Sequence, residues 1–94
     1  MKPLNVMTAA ASSGSTSILV EPSSPESGNS WKYVLAASAS GLTVPAYGQA
    51  YSGGTALTAS GAAVSVNNET VVGVVELDGS GKAVAWGTAE VNVG

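Results

Sequence analysis

From Trp31 onward the chain alternates short apolar runs with clusters of Gly, Ser, Asn and Pro. That spacing predicts a series of short strands rather than helices, and an all-β fold of the small β-sandwich or barrel kind. The predicted strands are Trp31–Ala37, Leu42–Val44, Gln49–Tyr51, Thr55–Leu57, Ala62–Val66, Thr70–Leu77, Lys82–Trp86 and Ala89–Val93. Thr70–Leu77 carries the strongest signal, because it is β-branched, nearly uncharged and apolar on both faces. Gly73 at its centre predicts a bulge or a close approach to the bare backbone. Asp78-Gly79-Ser80-Gly81 reads as a turn, joining this strand to Lys82–Trp86 as a hairpin. Glu90, Val91, Asn92 and Val93 alternate polar and apolar, as a half-exposed strand does. Val34–Ala39 is the main helix candidate. Ser38, Ser40 and Gly41 weaken it, and Tyr33 and Val34 suit a strand equally well, so it is read as strand.

Residues 1–30 show a different pattern. They hold one compact apolar run, Ile18-Leu19-Val20, between TAAASSGSTS and EPSSPESGNS. Pro22 and Pro25 prevent helix and bias the residues before them toward extended backbone. The predicted organisation is an extended Ser/Pro-rich N-terminal arm, residues 1–30, followed by a small β domain, residues 31–94. Ile18-Leu19-Val20 could add a strand to this chain's sheet or to a neighbour's, or it could be a packed stub in a disordered leader. The opening MKPLNVMTAAASSG lacks the central apolar segment of a secretory signal. No apolar run approaches the roughly 18 residues of a membrane-spanning helix.

Composition changes this picture in one respect. The chain has 94 residues, with no Phe, no Cys, no His and only two Trp and three Tyr. Ala and Val dominate the apolar residues, and Ala buries little area at about 25 cal/mol per Å². The core must be thin. Chains this short often lean on disulfides, metals or partner subunits. Without Cys no disulfide forms, and without Cys or His nothing holds zinc or copper, so association with other chains, as a homo-oligomer, is the expected support.

Charge narrows the partners. Three Lys and six acidic residues give a net charge of −3, and Arg is absent. Three scattered Lys do not make the cationic patch that phosphate backbones or anionic lipids require. Nucleic acid and membrane are therefore not expected partners. Val34 to Asn68 contains no charge at all. Either hydroxyl and amide groups solvate that surface, or neighbouring subunits cover it.

The residues that could carry chemistry are few. Without His or Cys, neither a Ser-His-Asp triad nor a Cys-His pair is possible. Asn29 and Gly79 stand three residues before Lys32 and Lys82, so no Ser-x-x-Lys arrangement exists. Gly79-Ser80-Gly81-Lys82 resembles part of a phosphate loop, but Glu76 replaces its first Gly and Ala83 its metal-binding hydroxyl, which leaves a hairpin turn. Glu76, Asp78 and Glu90 are the candidate carboxylates for a glycoside-hydrolysis pair, or for a calcium site with Asn67 or Asn68. Solvated carboxylates at a strand end are the plainer reading. Asn68-Glu69-Thr70 matches a glycosylation acceptor pattern that short chance matches also produce. No enzyme and no cofactor are expected. Trp31 with Tyr33, and Tyr47 with Tyr51, could stack on sugars or fill a core or interface. The candidate interface residues are Ile18, Leu19, Val20, Trp31, Tyr33, Tyr47 and Tyr51.

Val71-Val72-Gly73-Val74-Val75-Glu76-Leu77-Asp78, followed by Ala83-Val84-Ala85-Trp86-Gly87 and a short final strand, resembles the C-terminal part of small tailed-phage head-decoration (cement) and head-fibre proteins. Val44-Pro45-Ala46-Tyr47-Gly48 is similar to that family's Pro/Gly strand opening, so the resemblance covers Val44 to Val93. It implies a non-enzymatic virion structural protein on the capsid exterior. It also implies a major capsid protein as partner and a trimer as the favoured oligomer. No site residues carry over, since these families act by surfaces. The residues themselves leave two further functions open: a carbohydrate- or receptor-binding β module displayed on a particle or cell surface, and another self-assembling envelope, tail or fibre component.

Overall fold

The computed structural model describes residues 1–94 as two packed β-sheets. The strands are β1 (Lys2–Pro3), β2 (Asn5–Ala10), β3 (Ser15–Glu21), β4 (Ser30–Ala36), β5 (Thr55–Leu57), β6 (Ala62–Ser65), β7 (Val71–Leu77) and β8 (Ala83–Glu90). The larger sheet has the order β1-β8-β7-β4-β5 and the smaller one β2-β3-β6. Every pairing is antiparallel except β1 with β8. The all-β fold expected from the apolar runs is observed, and of the sandwich and barrel alternatives it is the two-sheet sandwich.

β7 is central in the larger sheet, between β4 and β8, and its residues from Val72 to Leu77 are buried. This accounts for its near-continuous apolar sequence, because both faces are covered. One face of β7 carries Val72 and Val74. They pack with Trp31 of β4, Leu57 of β5 and Ala85 of β8 against Leu4, Val6, Ile18 and Val20. The opposite face carries Val75 and Leu77, which form a second cluster with Ala83, flanked by Tyr51 and Trp86. The segment between β4 and β5 covers this side. Gly48 and Tyr51 donate to the carbonyls of Ala83 and Gly81, and Ala83 donates to Gln49.

Asp78–Gly81 forms the expected turn of the β7–β8 hairpin. The Asp78 carboxylate accepts from the amides of Ser80 at 2.9 Å and Lys82 at 3.0 Å. The register shifts beside Leu77, so that Val84 has no partner and the strand bulges there. The other sequence expectations meet a mixed outcome. Leu42–Val44 is not a strand, and Gln49–Tyr51 makes only an isolated bridge, Ala50 to Lys82. Ala89–Val93 is not a separate strand, because β8 runs unbroken through Gly87 to Glu90. The Ala-rich segment after Tyr33 is strand to Ala36, with one 3-10 turn at Ala39–Gly41.

The largest difference lies in residues 1–30. They are not an extended arm outside the body. Residues 2–21 supply β1, β2 and β3, and these include most of the smaller sheet. Leu4, Val6, Ile18 and Val20 are one wall of the main core. The physical reason is simple: the inner face of β4, β7 and β8 is apolar and needs cover, and the N-terminal hairpin is the cover. The core is nonetheless thin, with 17 of 94 residues buried.

The two flanks of the sandwich are built differently. On one, the chain crosses between sheets at Leu4, whose amide donates to the Trp86 carbonyl at 2.9 Å. Gly87 makes room for this crossing, since a Cβ there would overlap the Leu4 carbonyl. The C-terminal residues close the same side. Asn92 donates from its amide at 3.1 Å and from Nδ2 at 3.0 Å to the Thr8 hydroxyl, and Gly94 N donates to the Ser15 carbonyl. On the other flank β5 ends the larger sheet and β6 ends the smaller one. Residues 58–61 join them, and Ser60 Oγ accepts from Val20 N at 2.8 Å and donates to Val20 O at 3.1 Å.

Candidate functional site

The seven residues expected to form an interface do not come together on one surface. Ile18 and Trp31, at 0 % and 2 % exposure, and Val20 beside them lie in the core. Leu19, between Ile18 and Val20 in an alternating strand, points to the outer face of the smaller sheet, opposite Met7 of β2. Trp31 and Tyr33 do share a face, as the strand pattern implied, but it is the inner one, where Tyr33 packs against the main core. Tyr51 is half-buried against the second cluster. Tyr47 alone is largely open, at 66 % exposure. Trp31 is thus a core residue and not a sugar platform.

The carboxylates divide in the same way. Glu76 faces inward and is only 6 % exposed. Its Oε2 accepts from Asn29 Nδ2 at 2.8 Å and Glu26 N at 3.3 Å, and its Oε1 accepts from Trp31 Nε1 at 3.3 Å. Three donors satisfy the buried charge, and no buried side-chain polar atom lacks a partner. Glu76 therefore ties the 26–31 segment to β7. Asp78 shapes the hairpin turn. Backbone donation from Lys82 and then Ser80 holds its carboxyl below its ordinary range. Lys2 Nζ meets Glu26 Oε1 at 3.0 Å with both side chains exposed. That hydrogen bond raises the Lys2 pKa, although a pair so solvated adds little to stability.

Lys2, Glu26, Asn29, Tyr47, Glu76 and Asp78 rim a recess of about 370 Å³. No group of three or more His, Cys, Asp or Glu is arranged to hold a metal ion. Asn67 and Asn68 precede β7 while Asp78 follows it, so roughly 20 Å of strand separates them at ~3.3 Å per residue. Asn67 N is instead bound to Glu69 Oε1 at 2.8 Å. The calcium arrangement considered from sequence is not assembled.

The larger concavity is apolar. A groove of about 530 Å³ runs between the 39–44 segment and the outer face of the larger sheet, lined by Leu42, Val44, Val71, Trp86, Thr88 and Glu90 among others. Trp86 reaches this face because β8 pairs it with Val75, and Gly73 leaves space for the indole. Sequence reasoning read Trp86 only as part of a strand. The signal that could have found its position is Gly73, the one gap in an otherwise bulky strand.

Residues 9–94 match the family of the S-layer protein SbsC C-terminal domain. The chain belongs to that family. The match takes in β3 to β8 and the last two residues of β2, Ala9 and Ala10, hence strands of both sheets and most of the core between them, without Leu4 and Val6. It makes the chain a structural, all-β module of surface-layer type. The family matched is not that of phage head-decoration proteins, to which the C-terminal pattern alone bears a resemblance. No curated protein and no solved structure matches the chain.

Proposed function

We propose that this protein is a non-enzymatic building module of a surface-exposed protein layer, acting through its outer faces and edges. The observation that carries this reading is the family match over residues 9–94, which spans six of the eight strands in full and not one motif. The structure supplies physical support. The polar side chains that could have made a reactive site are engaged in holding the fold, as Glu76 and Asp78 are. A thin core, with uncharged sequence from Val34 to Asn68, suits a domain whose surface is covered by neighbours. Its partners are then other copies of itself in a layer at the cell surface. A phage capsid as the partner, with trimers on the capsid exterior, rests on the C-terminal pattern alone.

Immunolabelling of intact producing cells tests the location, with outer-surface labelling expected. Labelling only after permeabilisation, together with electron micrographs of concentrated protein free of sheets, tubes or filaments, would overturn the proposal.

One observation favours a second reading, a displayed carbohydrate-binding module. The groove over Trp86 places an aromatic ring near a hydroxyl, Thr88, and a carboxylate, Glu90. Glycan-array binding that Trp86→Ala abolishes while the fold persists would support it. An array without hits would remove it.

A further inference from the structure

The two kinds of sheet edge in this sandwich are treated in opposite ways. β1, the outer strand of the larger sheet, consists of Lys2 and Pro3. A charged side chain and a residue without an N–H are the two devices that most directly prevent strand addition. The opposite flank has neither. From Thr55 to Val66, across β5, the link and β6, there is no charged residue and no Pro. β6 is the last strand of its sheet.

The hydrogen-bond phase of β6 shows which groups are left over. Val66 N donates to Gly14 O, and the register pairs Val64 with Thr16. In an antiparallel ladder the bonded residues alternate, so Val64 and Val66 face β3. The amides and carbonyls of Ala63 and Ser65 therefore point away from the sheet, on exposed residues. Two residues spaced by one, with both groups directed outward, are the pattern that a further antiparallel strand accepts.

We infer that β6 pairs with β6 of a second copy of this chain, antiparallel and about a two-fold axis through Val64, joining two three-stranded sheets into one of six. In this register Ala63 of one copy exchanges both bonds with Ser65 of the other, and the reverse, while the two Val64 residues meet between them. The side chains fit. Val64 packs on the main core, so its copy extends that apolar layer across the junction. Ala63 and Ser65 are small and lie on the outer face. The occupant is a second copy because a two-fold sets each residue near its own duplicate. Any charge near the axis would repel itself, and β6 has none within the uncharged span from Val34 to Asn68. A partner selected by charge would find nothing to read here.

This inference rests on the reading of the chain as a self-associating layer module, and names the contact. The test is sedimentation equilibrium of the full chain from micromolar to millimolar concentration, with three variants. Wild type shows concentration-dependent dimers, and the amides of Ala63 and Ser65 gain exchange protection as concentration rises. Ala63→Pro removes one donor per copy, two of the four cross-axis bonds, and breaks none to β3. It weakens dimerisation by about tenfold or more. Ala63→Lys places two like charges across the axis, also weakening dimerisation, and added salt partly restores it. Met7→Lys, on the outer face away from β6, leaves dimerisation unchanged. Should Ala63→Pro fail to fold, Ala63→Lys carries the test. If wild type associates and folded Ala63 variants associate equally well, the β6 contact is overturned and the layer reading stands. If wild type stays monomeric throughout, the contact and the self-association on which the layer reading depends fall together.

Discussion

The indole of Trp86 occupies the space where a Cβ on Gly73 would stand. The two residues lie on the outer face of adjacent strands, one pair out of register, since β7 and β8 set Val75 opposite Trp86 and Gly73 opposite Thr88. This diagonal contact lets a ring lie close to the sheet, where it borders both the second cluster and the apolar groove. Gly73→Ala forces the ring off its site and is expected to cost about 1–3 kcal/mol in urea unfolding. Adding Trp86→Ala to Gly73→Ala should recover part of that loss, because the ring that clashes is gone. Strictly additive losses in the double-mutant cycle would show that the contact is not the cause.

Glu76 is the only buried charged residue, and it accepts from three donors. Glu76→Gln keeps the shape but turns one acceptor into a donor facing donors. A loss of about 1–3 kcal/mol is expected, together with a change in Trp31 emission, since the indole N–H loses its ionised partner. Unchanged stability and emission would mean that the carboxylate is dispensable.

Removing residues 1–10 separates an appended arm from an integral hairpin. Leu4 and Val6 leave with that segment, and Ile18 and Val20 become exposed. Fully buried side chains of this size contribute about 1.5–3 kcal/mol each, on the scale of the whole stability of a small domain. The truncated chain should lose its cooperative thermal transition and its native near-ultraviolet dichroism. A truncated chain that melts like the intact one would mean that β1 and β2 are accessory.

Asp78 gives the chain an acid-sensitive turn. The amides of Lys82 and Ser80 stabilise its ionised form in the folded chain, so its folded pKa lies below the ordinary 3.8. Stability from this group is complete above the unfolded pKa, and is lost as pH falls from there through the folded value. Asp78→Asn keeps an acceptor oxygen without the titration. Its urea midpoint should fall less than that of wild type as pH drops below about 4. Parallel decline in both proteins would assign the acid sensitivity to other carboxylates.

Local pattern carried much of the fold. The β7–β8 hairpin was legible because a β-branched run, an Asp-Gly-Ser-Gly turn and a second run are contiguous, so no long-range information is needed. Thr55–Leu57 coincides with its strand, and Ala62–Val66 differs by one residue, since Gly and Ser mark their ends. The N-terminal strands were not legible beyond Ile18-Leu19-Val20. Asn5–Ala10 sets the apolar Val6 and Met7 side by side on opposite faces and continues in the small residues Thr8, Ala9 and Ala10, so no alternation announces it. Its pairing with β3, and the parallel pairing of Lys2–Pro3 with Ala85–Trp86, are decided by which apolar surface needs cover.

The candidate interface shows the same division. Period-two spacing placed Trp31 and Tyr33 on one face, and they are. Periodicity does not say whether that face looks in or out, and here it looks into the core.

By itself the sequence determined an all-β chain without His or Cys, sparse in charge and thin in core, because composition and short-range pattern suffice for those properties. Only the tertiary structure decided that the first thirty residues belong to the sandwich, that Glu76 is an internal tie, and that β6 is an open edge while Lys2 and Pro3 guard another. The physical reason is that burial and edge pairing are relations between segments distant in the chain, and no residue encodes its partner alone.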